Sequence, residues 1–422
     1  MRITVFISLF LHFYALSLRL HAQNQSSEER VYSDKIKSVL FYPLPDTSIG
    51  VPIIMFGQSV PLILEFDELQ AQPSNLFYKI YHFNADWKQS YLAASQYLSD
   101  FNEYRITDRD MSFKSRIPYY HYTVTIPKVK VSGNYLIKVY REYDEEQVVL
   151  TKQFVVYENI APVTAVISRA VSPADAFKKQ QVNFQIDYTQ LAISNLYTDV
   201  KVVLRQNYKD YNAIRNLKPV YIMAESSILD YQFFNNENAF NGGNEFRYFD
   251  MRSVLFNGIY MERVVRANDK CDVWIQPEQT RNKVSYSFYD DLNGAYYPQL
   301  YESLNGTTDP DYALVHFKLE SPQPAPGNVY ITGRFNNWKT DPEYQLSYDS
   351  TEKAYTGAFF MKQGYYNYMY TLITPDGKRD DIYFEGNSAY AENAYDIIVY
   401  ARVQSELCDR AIGYFSQRFR GR

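Results

Sequence analysis

Ser132-Gly133-Asn134, then Tyr135-Leu136-Ile137-Lys138-Val139-Tyr140, an acidic turn at Asp144-Glu145-Glu146, and Phe154-Val155-Val156-Tyr157 make up the stretch that decides the fold. A turn glycine opens an aromatic and β-branched run, and a second such run returns after the acids, which is how a hairpin reads. Placed last in a unit of this length, it reads as the closing hairpin of an immunoglobulin-like sandwich. The same order recurs downstream. Gln363-Gly364 precedes Tyr366-Asn367-Tyr368-Met369-Tyr370-Thr371-Leu372, which turns at Pro375-Asp376-Gly377-Lys378.

Period-two alternation surrounds both hairpins. Leu62, Leu64 and Phe66 oppose Ile63, Glu65 and Asp67, while Tyr122, Val124 and Ile126 oppose Thr123 and Thr125. Val182, Phe184, Ile186 and Tyr188 oppose polar neighbours, and Val284, Tyr286 and Phe288 oppose Ser285 and Ser287. Each reads as a strand with one buried face. No stretch sustains a helical period for long, and the best helical candidate is the short Gln89 to Leu98 segment. The fold class is therefore all-β: tandem immunoglobulin-like or fibronectin-like β-sandwich domains.

The start of the chain sets the compartment. Arg2, the apolar run from Ile3 to Leu18, and Leu20-His21-Ala22 before a polar stretch read as a secretory signal cleaved between Ala22 and Gln23. Arg19 ends the run before the roughly 20 apolar residues a spanning helix needs. No later segment is long and apolar enough, so the mature chain is not membrane-spanning. After removal of Arg2 and Arg19 it keeps 41 basic against 48 acidic residues, a net charge of about −7. That balance argues against nucleic acid, which needs a concentrated basic surface.

Some 400 residues exceed one ordinary core. Ile160-Ala161-Pro162-Val163 and Asn305-Gly306-Thr307-Thr308-Asp309-Pro310-Asp311 supply the punctuation. The expected division is a signal over 1–22, an N-terminal sandwich over 23–160, a middle β domain over 161–308 and a C-terminal immunoglobulin-like domain over 309–422. The middle domain carries an extended polar loop, Asn235 to Asn244, of the kind that holds binding surfaces. The 42 Tyr, 27 Phe and 3 Trp make the chain 17% aromatic. Such residues suit strands and also recognition surfaces.

Chemistry-bearing motifs are absent. His82, His121 and His316 have no companion at a metal-ligand spacing, and there is no Gly-x-Ser-x-Gly, phosphate loop or His-Glu-x-x-His. Asp290-Asp291-Leu292-Asn293-Gly294 lacks the alternating acids of a calcium loop, and Asn293-Gly294 reads as a turn. A pair of hydrolytic carboxylates cannot be located by counting. We expect no cofactor, no metal and no enzyme activity. Cys271 and Cys408 permit a bridge by number, burial as small hydrophobes is the competing reading, and no disulfide is predicted.

Glu245-Phe246-Arg247-Tyr248-Phe249-Asp250 mixes three charges with three rings, which suits a hot-spot surface or an edge strand with an internal ion pair. Val329-Tyr330-Ile331-Thr332-Gly333-Arg334-Phe335-Asn336-Asn337-Trp338 resembles the starch- and glycogen-binding modules appended to amylolytic enzymes. That likeness makes Trp338 a candidate glycan contact, with capping of the sandwich core as the competing reading.

The chain as a whole resembles the plug proteins of the type 9 secretion system of Bacteroidetes. The likeness rests on Gly243-Asn244-Glu245-Phe246-Arg247-Tyr248-Phe249-Asp250, on Asp272-Val273-Trp274-Ile275-Gln276-Pro277 and on the Val329 to Trp338 turn. It rests also on Glu385-Gly386-Asn387-Ser388-Ala389-Tyr390 and on Glu392-Asn393 running to Asp409-Arg410-Ala411-Ile412-Gly413-Tyr414. Ala411, where a larger aliphatic residue is expected, and the Phe335 to Trp338 turn depart from the pattern. The resemblance implies a periplasmic protein, monomeric within a hetero-complex, that binds the periplasmic opening of a large outer-membrane translocon β-barrel and seals it without cargo. The candidate interface residues are Asn244, Glu245, Phe246, Arg247, Phe249 and Asp250, together with Asp409, Arg410 and Tyr414. The alternative is a carbohydrate-binding accessory protein of an envelope polysaccharide system, and a hydrolase ranks third.

Overall fold

The computed structural model describes residues 25–45, 49–303, 307–402 and 406–421. The expected signal and its cleavage site at Ala22 and Gln23 lie outside them. Strands dominate throughout, and the Gln89 to Leu98 segment holds a single helical turn, Ala94–Tyr97.

The N-terminal sandwich packs two sheets. One runs through Arg30–Val31, Asp144–Tyr157, Gly133–Arg141, Leu76–Phe83 and Tyr104–Arg105, with Ile53–Met55 added in parallel to Asp144–Tyr157. The other runs Ile36–Pro43, Leu62–Glu68, Tyr120–Thr125 and Arg109–Met111. The hairpin at 133–157 pairs antiparallel as its sequence indicates, with register shifts after Asp144 and Val148. Leu62, Leu64 and Phe66 are buried between the sheets with Tyr135, Ile137 and Val139. Gly133 is required at its position: φ is +147°, and a Cβ there would lie 2.3 Å from His82 Nε2. Many tyrosines are core members with an anchored hydroxyl. Tyr135 donates to Val131 O (2.6 Å) and Tyr97 to Ile80 O (3.0 Å), which lets a ring fill the interior without orphaning its oxygen.

The second sandwich is built from two separated parts of the chain. One sheet holds Val163–Arg169, Lys179–Asp187, Ile228–Tyr231, Tyr221–Met223 and Ala239–Asn241. The other holds Ile214–Arg215, Val200–Gln206, Asn393–Ala401 and Arg410–Phe419. The last two strands thus return to the second domain. Asn393–Ala401 pairs with Val200–Gln206 from Val200↔Ala401 to Gln206↔Tyr395, and Tyr395, Ile397 and Val399 lie in the same core as Val182, Phe184 and Ile186.

Between Asn241 and Asn393 the chain forms a third sandwich, one strand path from Arg247–Asp250 through Gly364–Ile373, Asn328–Thr332, Gln345–Asp349, Ala354–Lys362 and Tyr312–Glu320 to Cys271–Ile275 and Met261–Arg266. The expected division at 308/309 is therefore corrected, because Cys271–Ile275 pairs in parallel with Tyr312–Glu320 (Asp272↔Leu314) across it. The turn-rich Thr307–Asp311 stretch is a loop inside the third domain. The expected strand at Val284 to Phe288 is irregular, with Val284 exposed. Among the described residues no strand is assigned there, and Tyr286 with the flanking Arg281 and Tyr289 reaches Glu245.

The first and third domains share apolar surface. Leu40, Tyr42 and Ile63 of the first join the third domain's core beside Tyr296, Val315 and Tyr366. Within that contact, buried Asp67 accepts from Lys362 Nζ (2.6 Å), Tyr312 OH (2.7 Å) and His121 Nδ1 (2.7 Å).

Candidate partner-binding surface

The residues singled out in the sequence as an interface lie inside the protein. Glu245, Phe246, Arg247, Phe249 and Asp250 are all buried, with Phe249 and Glu245 at 0% exposure. Arg247 reaches Glu385 through Nε (3.0 Å), Glu278 through Nη1 (2.9 Å) and Gln279 O through Nη2 (2.8 Å), under the ring of Tyr370. Burial raises the pKa of the Glu385 carboxyl, but Arg247 and Arg281 outweigh it and hold the group below its ordinary value. Asn244 donates to Glu385 O (2.8 Å). The charges alternating with rings are thus the strand with an internal ion pair, and the surface reading of this segment is corrected.

Asp409, Arg410 and Tyr414 fill the seam between the first two domains. Asp409, 1% exposed, accepts from Ala85 N (3.1 Å), Lys201 Nζ (2.8 Å) and Arg402 Nε (2.7 Å), while its own N–H donates to Asn84 Oδ1 (2.9 Å). Arg410 pairs with Glu158 and Glu406, and Tyr414 packs on Tyr157 with ring centroids 5.0 Å apart. These groups join domains within the chain, so the partner-interface reading of them is corrected as well. The small Ala411 sits in the same seam with Val155, Val203 and Tyr400.

Trp338 is 4% exposed. Its ring packs on Phe246 (5.5 Å) and Met369, and the Lys209 ammonium lies 4.5 Å from its centroid. Asn293-Gly294 is the expected turn, with φ +51° and +80°, and a Cβ at Gly294 would lie 2.0 Å from Trp338 Cη2. A ring enclosed in this way offers no face to a sugar, which corrects the glycan-contact reading. Cys271 and Cys408 are buried and unbridged. His316 stacks on Trp274 (4.4 Å) with Nε2 2.9 Å from Asp272. Among the described residues no group of three His, Cys, Asp or Glu is placed to hold a metal ion, and no helix is long and apolar enough to cross a membrane.

The third domain carries a half-buried tyrosine platform beside an exposed apolar loop. Arg247–Asp250, Gly364–Ile373 and Tyr296–Pro298 pair as neighbours, with Asp250↔Tyr365, Phe249↔Tyr366 and Tyr297↔Tyr365 in register. Strand alternation sends Phe249, Tyr366 and Tyr296 inward, stacked at 5.2 and 5.3 Å. The same alternation leaves Tyr248, Tyr365 and Tyr297 on the other face, stacked at 5.5 and 5.7 Å, with Tyr260 at 4.9 Å from Tyr248. Arg252 lies across the platform, 4.1 Å from the Tyr301 centroid and 5.5 Å from that of Tyr297. Its guanidinium is held there by donating twice to the Asp250 carboxylate (2.9 and 2.6 Å), which raises its pKa further.

From this platform the chain runs into Leu255-Phe256-Asn257-Gly258-Ile259-Tyr260. Leu255, Phe256 and Ile259 are 61%, 57% and 53% exposed. The loop is nonetheless well anchored. Met251, Val254 and Met261 are buried, Asp250 N donates to Ile259 O (3.1 Å) and Asn257 Nδ2 to Glu262 O (2.8 Å). A Cβ on Gly258 would lie 2.0 Å from Asp250 O. Burying one such side chain fully is worth about 1.5–3 kcal/mol, so three held in water on a fixed loop form a surface suited to a partner. Tyr and Arg are the residues that carry protein interfaces. The signal for this site was the unbroken Leu255-Phe256 and Ile259-Tyr260 pairs flanking Asn257-Gly258, together with the Tyr365-Tyr366 doublet.

Residues 36–158 match the family model described as the type 9 secretion system plug protein 1st domain, which spans the N-terminal sandwich from Ile36–Pro43 to just past Asp144–Tyr157. The crystal structure of a hypothetical protein from Parabacteroides merdae ATCC 43184 superposes with a TM-score of 0.88 at 29% identity, covering 93% of this chain and 99% of that one. An Escherichia coli alpha-2-macroglobulin activated by porcine elastase aligns at 10% identity over 91% of this chain and 30% of that one, with a TM-score of 0.19 that carries no shared fold. No curated protein matches.

Proposed function

We propose that this chain, whose residues 36–158 match the type 9 secretion system plug protein first-domain model, serves that system as a non-enzymatic periplasmic plug. In this reading it docks on the periplasmic opening of the outer-membrane translocon barrel and closes the pore while no cargo or partner occupies it. Closing a pore requires a stiff body and a broad contact, above roughly 1,000 Å², and no catalytic group. The three sandwiches are locked to one another by Asp67–Lys362, by the Asp409 seam and by the Lys209–Trp338 contact.

The observation that carries the reading is the platform of Tyr248, Tyr365, Tyr297 and Arg252 beside the exposed Leu255, Phe256 and Ile259. It is tested by purifying tagged full-length protein from solubilised membranes and identifying the co-purified proteins by mass spectrometry. Recovery of a very large outer-membrane barrel by the wild-type chain, with at least tenfold less by Leu255→Ser/Phe256→Ser/Ile259→Ser, is expected. Equal recovery by the triple variant would remove the loop from the contact, and no barrel from a strain lacking competing cargo would remove the plug reading. With Trp338 enclosed, the carbohydrate-accessory reading loses the residue on which it rested.

A further inference from the structure

A cavity of about 310 Å³ lies between the first and third domains, and an adjoining one of about 620 Å³ extends to Arg205 and Tyr208 of the second. Both are lined by Lys152, Arg334 and Lys339, and by Glu29 from the segment at their mouth. Burial and the charges of Arg334 and Lys339 push the Lys152 ammonium down to about 7, and a carboxylate sits beside it. The chain supplies that carboxylate from Gln25–Val31: Glu29 pairs with Lys152, and Glu28 pairs with Lys339 across the gap at 2.9 Å.

This strap is an edge strand attached by polar groups. Only Arg30↔Thr151 and Val31↔Leu150 are in ladder register with Asp144–Tyr157. Further bonds among the described residues include Gln153 Nε2 to Ser27 O (2.6 Å), Thr151 Oγ1 to Glu28 O (2.6 Å), Arg30 N to Thr151 Oγ1 (3.0 Å) and Tyr32 N to Val149 O (2.9 Å). Gln25 is held by Gln89 and Lys138. Val31 and Tyr32 are 41% and 44% exposed, so no apolar side chain of the strap is committed to a core. Of its two ion pairs, Glu28–Lys339 is partly exposed and adds little to stability, while Glu29–Lys152 is the more buried one. The edge of Asp144–Tyr157, with Lys152 on it and Lys339 of the third domain facing it, is therefore a formed site, and the strap is held there by polar groups alone.

We propose that this groove is a peptide-docking site, from which the strap exchanges for an extended segment of a partner protein bearing two adjacent acidic residues. The incoming strand would add to the edge of Asp144–Tyr157 through its backbone and place its acids on Lys152 and Lys339, repeating what Glu28 and Glu29 do. Because the groove borders both the first and third domains, occupancy by a partner would still bridge them. The site is remote in sequence from the apolar loop and does not depend on the plug reading.

The test uses the full-length chain and a labelled peptide of residues 25–33, Gln-Ser-Ser-Glu-Glu-Arg-Val-Tyr-Ser, read by fluorescence anisotropy. A Glu28→Lys/Glu29→Lys chain, whose own strap is expelled by like charge, is expected to bind the peptide at least tenfold more tightly than the wild-type chain. A peptide with Gln at both acidic positions should lose at least tenfold. No binding by the charge-reversed chain with a native near-ultraviolet circular dichroism spectrum, or equal binding of both peptides, overturns the proposal. If that chain does not fold, hydrogen exchange on the wild-type chain decides. Amides of Arg30 and Tyr32 should exchange orders of magnitude faster than those of Gly133–Arg141, and equal protection overturns the exchange.

Discussion

Removal of the Asp67 carboxylate is the most informative single change in the contact between the first and third domains. Asp67 is fully buried and Lys362 is 2% exposed, and the carboxylate accepts from Lys362, Tyr312 and His121 at 2.6–2.7 Å. Burial pushes the Lys362 ammonium below its ordinary value and Asp67 opposes that shift. Asp67→Ala therefore leaves a buried cation without its hydrogen-bonded counter-charge, a loss of about 3–5 kcal/mol. Lys362→Met removes the stranded charge, so the double variant should be less destabilised than the sum of the singles. The pH dependence gives a second reading. Burial lowers the pKa of His121, but Asp67 and Glu65 outweigh it and raise the value from 6.5 to about 9. A group whose pKa is higher in the folded chain stabilises fully below its unfolded value and loses that contribution as pH rises through the folded one. The difference of about 2.5 units is worth about 3 kcal/mol, present at pH 6 and fading between pH 6.5 and 9. Urea unfolding at pH 6 and pH 9.5, followed by near-ultraviolet circular dichroism, measures both effects. A loss below about 1 kcal/mol for Asp67→Ala, or strictly additive singles, would refute the account.

Gly133→Ala forces a Cβ toward His82 at a φ of +147° and should cost about 2 kcal/mol or more in the same unfolding assay. Trp338→Ala empties a packed site beside Phe246, Met369 and Lys209 and should cost about 3–5 kcal/mol, with no change in retention on an amylose or glycogen column. Burial pushes the Cys408 thiol up to about 11 and that of Cys271 up as well. Both should resist a thiol-reactive dye at pH 7.5 in the native protein and react on unfolding, as read by mass spectrometry.

Much of the strand content was legible because one-sided burial imposes a period of two. Leu62, Leu64 and Phe66, and Val182, Phe184 and Ile186, all face cores as their spacing indicates. The hairpins at 133–157 and 364–380 were legible because the strand-opening Gly133, the acids that begin just past the bend between Arg141 and Asp144, and the Pro375 to Lys378 turn mark them. Long-range pairing left no local mark. Nothing in Asn393–Ala401 reveals that its partner is Val200–Gln206 rather than a strand closer in sequence. Burial of charge was equally hidden. Arg247 looks like a surface residue until Glu385 and Glu278 arrive as partners from elsewhere, and Glu245 until the Tyr286 hydroxyl and the Glu392 amide reach its carboxylate. The exposed Leu255, Phe256 and Ile259 were missed for the opposite reason, since an apolar run reads as core unless the loop's own anchors are known.

The motifs that carried the family resemblance acquire a physical role from the nested topology. The chain enters the third domain at Gly242 to Phe246 and leaves it at Glu385 to Asn393, so the two crossings must lie side by side. They do: Ser388 N donates to Gly243 O (2.8 Å), Gly243 N to Asn387 Oδ1 (3.0 Å), and Asn393 Nδ2 to Gly242 O (2.8 Å). A Cβ at Gly242 would lie 2.0 Å from Ser388 O, so this approach excludes any larger residue there. Gln180 of the second domain then binds Ala389 O (2.9 Å) and Ala391 O (2.7 Å), and Glu385 ties the outgoing crossing to Arg247 and Arg281 of the third. Two adjacent crossings cross-linked in this way resist the twisting that a single linker allows, because rotation about one must break bonds to the other. Residues whose order no sheet requires are therefore explained as a double hinge clamped shut. A rigid junction of this kind keeps the tyrosine platform and its apolar loop in a fixed orientation relative to the domain matched by the plug family.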